Sequence, residues 1–388
     1  MSSYDYLIVG GGMAAAAAVR GIRSLDHSAG IGLLSAEGDP PYRRPPLSKG
    51  LWSGEKEADL PLPVDGAELL LSRRALRIDL ASREVEDDRG ERHGFRKLLL
   101  ATGGRPRRLP ELEGALLYRD LADYRALRRA LEAGVQSVAI VGAGFVGSEL
   151  AAALTRAGKQ VDLITAGQGI GDRIFPPGLV EALGRFYAEQ GVRLHAETSV
   201  KAQEHSSSGQ QLLLTDGQRL NVDLVVCAVG IQPNSELAAS AGLPVGDGIL
   251  VDPFGQVGEQ PVYAAGDVAN FFSPFLSKRV RVEHENHADL HGELVGRNLA
   301  GAGEPYLEIP FFYSDLFELG YEAVGELNAG LRVVEDWKEP YREGVVYYLQ
   351  GERLSGVLLF GVWEKVEQAR GLIRSGRPFL PDELPGQI

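Results

Sequence analysis

The sequence predicts an α/β fold with two doubly wound parallel sheets, followed by a small α+β domain. A pattern of apolar strand, glycine turn and alanine-rich helix occurs twice, from Tyr6 to Ala15 and from Val138 to Gly147. From about Phe311 the pattern changes to short alternating strands. Alternating strands and helices favour parallel sheets, whereas consecutive strands favour antiparallel pairing. The length of 388 residues fits two or three such domains, at roughly 150 residues per domain.

The remaining elements are predicted in chain order from apolar runs and turn residues. Each glycine turn and helix is followed by a further strand, at Ile31–Leu34 and at Val161–Ile164. Later strands end in turns of small residues, at Leu98–Gly104, Leu224–Gly230 and Val262–Asp267. The hydrophilic run Arg89–Gly94 is predicted to link strands. Near the end we expect strands at Gly344–Leu349 and Arg353–Phe360, a helix at Trp363–Arg374 and a loose tail after Pro378.

Composition and charge exclude several classes of protein. The net charge of -13 repels phosphate backbones, so we expect no nucleic-acid partner. The single cysteine, Cys227, excludes a disulfide framework, a multi-cysteine metal site and a Cys-x-x-Cys redox pair, and we expect it in the core. No apolar run approaches the ~18 residues of a membrane helix, and no basic leader precedes the first strand. These features predict a cytoplasmic protein with no membrane span.

The first glycine turn fits the phosphate-binding pattern Gly-x-Gly-x-x-Ala at Gly10, Gly12 and Ala15. The first glycine permits the sharp turn, the second lets a pyrophosphate approach the backbone, and Ala15 lets the helix pack closely on the strand. The helix N-terminus then offers free N–H groups to the phosphates. Glu37 follows the next strand, where an acid accepts hydrogen bonds from a ribose diol. The alternative is an ordinary glycine-rich turn.

The second turn repeats the pattern at Gly142, Gly144 and Gly147. Two such turns predict two dinucleotides, of which a flavin and a nicotinamide are the natural pair. After the following strand stand Thr165, Ala166 and Gly167 rather than an acid, and no arginine occurs before Arg173. We therefore expect only a weak preference for NADH over NADPH.

Several further motifs resemble the ferredoxin-reductase-like FAD oxidoreductases, which include putidaredoxin, rubredoxin and biphenyl-dioxygenase reductases and apoptosis-inducing factor. The resemblance runs almost end to end and rests on both glycine turns and on these segments: Pro41–Lys49, Ala101–Gly104, Ala228–Gly230 and Ala265–Asp267. The segments Arg281–Ala288, Tyr313–Leu316 and Gly320–Ala323 look most similar to apoptosis-inducing factor. The family commonly has Phe-Trp-Ser-Asp where this chain has Phe312-Tyr313-Ser314-Asp315.

The resemblance implies a domain order. An FAD-binding domain occupies residues 1–113 and 248–308, an NAD-binding domain is inserted at 114–247, and a C-terminal α+β domain covers 309–388. It also implies that Arg44 contacts the flavin nucleotide, that Lys49 lies beside the isoalloxazine, and that Glu149 pairs with Lys49. Asp267 would hydrogen-bond the ribityl chain. Further cofactor contacts are expected at Thr102, Gly103, Gly230, Glu283, His284 and Tyr313, with Phe145 as a lid and Lys49, Glu149 and His284 as the catalytic residues.

Simpler interpretations exist for several of these residues. The Arg44 loop can be a solvated basic turn, Glu149 an acid favoured by the helix dipole, and Asp267 a cap on a following helix. Tyr313 can pack in a C-terminal core and Phe145 in a helix–strand interface. His287 and His291 share a helical face with His284, but no acid or cysteine pattern makes them a metal site. We expect those two to be solvated or capping.

The resemblance implies hydride transfer from NAD(P)H to FAD and then electron delivery to an acceptor outside the chain, because the chain has no dithiol. The acceptor would be a small redox protein, a quinone-like compound or oxygen. The net charge of -13 disfavours docking of an acidic ferredoxin, against which Lys278, Arg279 and Arg281 could supply a local basic patch. The alternative is a redox-responsive, NADH-binding interaction protein with slow turnover, similar to apoptosis-inducing factor. The sequence does not fix the oligomeric state, for which a homodimer is one option.

Overall fold

The computed structural model describes residues 2–206 and 209–388. Its helices are α1 (Met13–Arg23), α2 (Leu121–Glu132), α3 (Phe145–Arg156), α4 (Pro177–Glu189), α5 (Glu236–Ser240), α6 (Glu285–Leu299) and α7 (Val366–Arg374). In the part of the chain so described, no helix has the length and apolar character needed to cross a membrane.

The strands follow in chain order. They are β1 (Ser2–Val9), β2 (Ile31–Leu34), β3 (Ala67–Leu70), β4 (Ala75–Asp79), β5 (Glu84–Asp87), β6 (Arg92–Leu100), β7 (Gly104–Pro106), β8 (Leu116–Leu117), β9 (Ser137–Val141), β10 (Gln160–Ile164), β11 (Val192–His195), β12 (Val200–Ser206), β13 (Gly209–Leu214), β14 (Arg219–Val222), β15 (Leu224–Cys227), β16 (Ile231–Pro233), β17 (Val245–Gly246), β18 (Gly248–Leu250), β19 (Val262–Ala264), β20 (Ala269–Ser273), β21 (Lys278–Arg281), β22 (Phe311–Leu316), β23 (Leu319–Gly325), β24 (Arg332–Glu339), β25 (Glu343–Gln350) and β26 (Arg353–Phe360).

The chain forms two compact units. Unit 1 comprises Met1–Arg44, Lys56–Arg105 and Gln232–Pro310. Unit 2 comprises Pro45–Glu55, Pro106–Ile231 and Phe311–Ile388.

Unit 1 is built on the sheet β3-β2-β1-β6-β5-β4, with β19 also paired to β6. Strands β1, β2, β3, β6 and β19 run parallel, and β4 and β5 are antiparallel additions. The strand order reverses between β2 and β6 around β1, and α/β sheets bind ligands at such a point, outside the carboxyl ends of the strands. A second sheet, β17-β18-β20-β21, completes the unit.

Helix α1 packs directly on α6 because small residues face each other. A methyl group on Gly292 would lie 2.4 Å from the Ala14 carbonyl oxygen, and one on Gly296 would lie 2.2 Å from that of Ala18. Alanine also has the highest helix propensity, and the run from Ala14 to Ala18 is buried. The first glycine turn therefore leads into a helix that is fixed on both of its faces.

Unit 2 contains the parallel sheet β11-β10-β9-β15-β8, which repeats the topological switch around β9. It also contains the antiparallel sheets β12-β13-β14 and β22-β23-β26-β25-β24. The predicted fold class is confirmed: two doubly wound sheets and an antiparallel C-terminal segment with helix α7. Gly351, at a φ of 66°, turns β25 into β26 as its position in the sequence predicts.

Three local predictions need correction. Arg92–Gly94 belong to strand β6 rather than to a linker, since all three pair with β5 and the last two also pair with β1. Helix α7 begins at Val366, three residues after the predicted start at Trp363. The tail after Pro378 is not loose, because Phe379 and Leu384 are fully buried.

Candidate functional site

The first glycine turn lies at the switch point of the unit 1 sheet. The Gly10 N–H donates to the Leu34 carbonyl at the end of β2. Gly10 has a φ of 120°, and a methyl group on it would lie 2.1 Å from the Ala101 carbonyl oxygen at the end of β6. Gly12 is the N-cap of α1 and no side chain caps it. Ala15 is fully buried against the sheet, as predicted.

Arg44 and Glu37 lie together in front of this turn. The Arg44 guanidinium is 4.0 Å from the position of a methyl group on Gly12 and forms an ion pair with Glu37. Tyr42 donates a hydrogen bond of 2.8 Å to the same carboxylate. Burial opposes the charge of Arg44, but Glu37, Tyr42 and Asp267 together outweigh that effect and raise the pKa of the guanidinium. Arg44 is therefore a fixed cation beside uncapped helix N–H groups, and the solvated-turn interpretation is wrong.

Thr102 and Gly103 are tied to a residue that the sequence does not single out. The Thr102 hydroxyl donates to the Asn234 carbonyl at 2.7 Å, and the Asn234 side chain donates to the Thr102 carbonyl at 2.9 Å. The Asn234 N–H donates to Gly103. These reciprocal bonds fix the turn after β6, where Gly103 has a φ of 59°.

Asp267 lies in a single 3-10 turn, Gly266–Val268, that strand β20 follows directly. It cannot cap a following helix, so that alternative is wrong.

Glu283 accepts a hydrogen bond of 2.6 Å from Arg281. His284 is the N-cap of α6 and is half-buried. Burial lowers the pKa of His284 to about 4, with Asp267 opposing that effect, so this imidazole is neutral at pH 7.

His287 and His291, called the histidine pair below, are buried in unit 1 rather than solvated. Their rings stack with centroids 4.8 Å apart. His287 Nδ1 hydrogen-bonds the Tyr306 hydroxyl, and the Gly266 N–H donates to His291 Nδ1. Burial lowers the pKa of His287 to about 3 and that of His291 well below its usual value. The prediction of solvated or capping histidines is wrong.

The second glycine turn repeats the geometry in unit 2. Gly142 has a φ of 109°, its N–H donates to the Ile164 carbonyl, and a methyl group on it would lie 2.4 Å from the Ala228 carbonyl oxygen. A methyl group on Gly147 would lie 1.9 Å from the Gly142 carbonyl oxygen. Gly144 is the N-cap of α3, and no side chain hydrogen-bonds the N–H groups at this helix end. A methyl group on Gly144 would meet no atom within 4 Å. Gly230 has a φ of 91° and similar open space.

Lys49 and Glu149 form an ion pair within unit 2, as the resemblance implies. Glu149 is only 6% exposed, so the helix dipole alone does not account for it. Two hydroxyls that the sequence does not single out also donate to its carboxylate, Ser48 at 2.6 Å and Ser314. Asp315 lies 3.9 Å from the Lys49 ammonium on the exposed side.

The loop that carries Lys49 is fixed to unit 2 by its backbone. The Leu47 carbonyl accepts hydrogen bonds from Trp52 Nε1, at 2.7 Å, and from the Tyr118 hydroxyl. Trp52 packs edge-on against Tyr124 of α2. Lys49 therefore extends from a loop with little freedom of its own.

Tyr313 and Phe145 are partly exposed, at 39% and 37%, so neither is a core residue. The Lys49 ammonium lies 5.3 Å from the centre of the Tyr313 ring. Phe145 packs edge-to-face on Phe312 with ring centroids 5.1 Å apart.

Cys227 is buried, as predicted, and burial raises the pKa of its thiol.

One group of potential metal ligands occurs among the described residues: Asp87, Glu91 and His93. Arg73 forms ion pairs with both carboxylates, and the ring of His93 hydrogen-bonds Asp87 at 3.1 Å. Burial works against the Asp87 charge, but hydrogen bonds led by that from His93 lower the pKa of Asp87 to about 2. Arg73 already supplies the positive charge, so the group closes the β5–β6 turn as an ion network.

Both glycine turns fit a dinucleotide. Each presents a helix N-terminus that no side chain caps, and neither Gly12 nor Gly144 is crowded by protein atoms. Arg44 adds a cation at the first turn, which favours a pyrophosphate there. The fold and these features define a flavoprotein oxidoreductase that binds a nicotinamide nucleotide.

Comparison with known proteins agrees with this class. Residues 4–292 match the pyridine nucleotide-disulphide oxidoreductase family. The ferredoxin–NAD(+) reductase component of the anthranilate 1,2-dioxygenase system of Burkholderia cepacia is 32% identical, over 99% of this chain and 97% of that protein. Apoptosis-inducing factor 1, mitochondrial, of Dictyostelium discoideum is 31% identical, over 97% of this chain and 79% of that protein. A crystal structure of the covalent putidaredoxin reductase–putidaredoxin complex has a TM-score of 0.91 and 29% identity, covering 99% and 96% of the two chains.

The chain belongs to the pyridine nucleotide-disulphide oxidoreductase family. The resemblance to ferredoxin, putidaredoxin and rubredoxin reductases and to apoptosis-inducing factor is confirmed. The protein is an FAD-dependent NAD(P)H oxidoreductase. The roles of the individual site residues stay predictions.

Proposed function

We propose that this protein oxidises a nicotinamide nucleotide and passes the electrons through FAD to a small redox protein outside the chain. The observation that carries the proposal is the pair of uncapped glycine turns, one in each unit, together with the Lys49–Glu149 ion pair. When bound, FAD accepts a hydride and releases electrons singly. The single cysteine supports an external acceptor, because the chain cannot form an internal disulfide.

Each unit has a distinct task in this proposal. In unit 1 the Gly10–Ala15 turn and Arg44 bind the flavin pyrophosphate, and Glu37 accepts hydrogen bonds from a ribose. Neutral His284 would offer the flavin an uncharged surface, and Asp267 would bind the ribityl hydroxyls. These residues hold and orient the cofactor.

In unit 2 the Gly142–Gly147 turn binds the nicotinamide nucleotide. Glu149 holds the Lys49 ammonium, which would supply positive charge to a reduced flavin. Tyr313 and Phe145 offer exposed aromatic faces that exclude water from the reacting atoms. Phe145 is the lid in this account, and its contact with Phe312 is the resting position.

We further propose a weak preference for NADH. Thr165, Ala166 and Gly167 follow β10 without an acid or a base. The Glu197 N–H, however, donates to the Gly167 carbonyl at 2.8 Å. This bond brings an exposed residue with a carboxylate beside the end of β10, where it favours a ribose diol over a 2′-phosphate.

The acceptor is proposed to be a ferredoxin-like protein, because named relatives are reductases of ferredoxins and rubredoxins. The basic patch at Lys278, Arg279 and Arg281 offers less free charge than its sequence indicates. Arg279 donates to the Val251 and Asn270 carbonyls, and Arg281 pairs with Asp247 and Glu283. The Asp247 and Glu283 carboxylates therefore offset the charge of Arg281, whereas Arg279 keeps its charge and stays exposed. The domain boundaries, the cytoplasmic location and the homodimer stay predictions.

A second candidate is a redox-responsive interaction protein with slow turnover. The relative named apoptosis-inducing factor and the Arg281–Ala288 segment favour it. Steady-state oxidation of NADH with a ferredoxin, compared with an artificial acceptor, tests both candidates. Efficient turnover with ferredoxin supports the reductase, and slow turnover with every acceptor supports the second candidate.

A further inference from the structure

The Glu149 carboxylate is held by two neutral hydroxyls as well as by Lys49. Ser48 donates to Oε2 at 2.6 Å, and Ser314 donates to Oε1, the oxygen that also accepts from Lys49. Ser48 and Ser314 are both buried. They lie 101 and 165 positions from Glu149 in the chain, so three separate segments of unit 2 meet at one carboxylate.

Lys49 also has a second carboxylate within reach. Asp315 Oδ2 lies 3.9 Å from its ammonium, and the Asp315 side chain is 56% exposed. An exposed carboxylate keeps its hydration, whereas a buried one depends on protein donors for its stability. The competition for Lys49 therefore depends on how firmly the buried carboxylate is held in one orientation.

We propose that Ser48 and Ser314 are positioning residues that keep the Lys49 ammonium on Glu149 and away from Asp315. Each hydroxyl fixes the orientation of the carboxylate and satisfies one of its buried lone pairs. Without either hydroxyl the carboxylate is free to rotate, so Oε1 no longer offers the ammonium a fixed position and Asp315 becomes the alternative partner of Lys49. This inference rests on the proposed role of Lys49 in flavin reduction.

The main experiment measures flavin reduction by NADH in rapid mixing, with the FAD-loaded protein and its Ser48→Ala and Ser314→Ala variants. We expect the limiting rate to fall about tenfold in each, the equivalent of one hydrogen bond to a charged group. The Kd for NADH should stay close to that of the parent protein. Ser314→Thr keeps a hydroxyl and should restore most of the rate.

Ser355→Ala is the matched control. Ser355 is a buried serine of the same C-terminal sheet, and its hydroxyl donates to the Tyr348 carbonyl at 3.1 Å rather than to Glu149. Loss of the Ser355 hydroxyl should change the free energy of unfolding without changing the rate of flavin reduction.

The decisive variant adds Asp315→Asn to Ser314→Ala. Removing the competing carboxylate should recover most of the lost rate, a result that a merely structural role for Ser314 does not produce. As a readout independent of activity, urea unfolding of Ser314→Ala, Glu149→Gln and the double variant should give non-additive free energies.

The inference is overturned if both serine variants are reduced at the parent rate, or if Asp315→Asn gives no recovery. Ser48→Ala, combined with Asp315→Asn, decides the question if Ser314→Ala does not fold. A parent protein that holds FAD but is not reduced by NADH would refute the proposed function instead.

Discussion

Alanine in place of Gly144 should abolish binding of the nicotinamide nucleotide while FAD stays bound. The protein itself accommodates the change, because the new methyl group meets no atom within 4 Å and the backbone φ of -79° suits alanine. Alanine is a poorer N-cap than glycine, so we expect a loss of about 1 kcal/mol in stability. A phosphate that approaches the helix N-terminus meets the methyl group directly. We expect the Kd for NAD+ to rise about a hundredfold or more, equivalent to ~2.7 kcal/mol.

The assay is calorimetric titration of the FAD-loaded protein with NAD+, together with the flavin absorbance of the purified variant. Gly12→Ala is the reciprocal variant, since its methyl group would approach only Arg44, at 4.0 Å, and it should yield apoprotein. Gly147→Ala is the contrasting control: its methyl group would lie 1.9 Å from the Gly142 carbonyl oxygen, so it should lower the stability of the fold.

Two results would refute the reasoning. Loss of FAD to the same extent in Gly12→Ala and Gly144→Ala would show that the two turns do not bind different dinucleotides. Unchanged NAD+ binding in a folded Gly144→Ala variant would show that the pyrophosphate does not approach this turn.

Four further predictions concern catalysis, specificity and stability. Lys49→Ala and Glu149→Ala should slow flavin reduction far more than they weaken FAD binding, and additive losses in a double-mutant cycle would exclude a functional pair. NADH should be preferred over NADPH by less than about a hundredfold in kcat/KM, and Glu197→Gln should reduce that preference; an unchanged ratio would exclude Glu197. Stoichiometric NADH should give a broad long-wavelength charge-transfer band and slow reoxidation in air, and Tyr313→Ala should remove both; a parent protein without the band would exclude stacking of the nicotinamide. The histidine pair is neutral in the folded protein, because burial lowers both pKa values, and it becomes protonated on unfolding below pH 6.5. The contribution of the pair to the free energy of unfolding should therefore be fully present above pH 6.5. It should fall by about 1.4 kcal/mol per pH unit for each ring as the pH drops toward 4. Urea unfolding at pH 7 and pH 5 measures this loss, and His287→Phe should reduce the slope.

The sequence was sufficient for the fold class because the determining signals are local. The turn at Gly10 needs a positive φ and has no room for a Cβ atom, so it requires glycine. The strand and the helix that it connects are adjacent to it in the sequence. The same holds at Gly142. The resemblance supplied the pairing of Lys49 with Glu149, which are 100 positions apart.

The rest of the site depends on contacts that no local pattern encodes. Ser314 and Asn234 are ordinary polar residues until the fold brings them to Glu149 and Thr102. The helical spacing of His287 and His291 was visible, but their burial was not, because it depends on Phe271 and Tyr306 from elsewhere in unit 1. Sequence patterns place a residue on a face, whereas the partner that covers the face comes from the fold.

Anaerobic titration of the FAD-loaded protein with NADH tests the central claim most directly. The account predicts that an equimolar amount of NADH bleaches the visible flavin absorption and that two equivalents of an oxidised one-electron ferredoxin then restore it. A protein that binds no FAD, or a bound flavin that excess NADH leaves oxidised, would contradict the account.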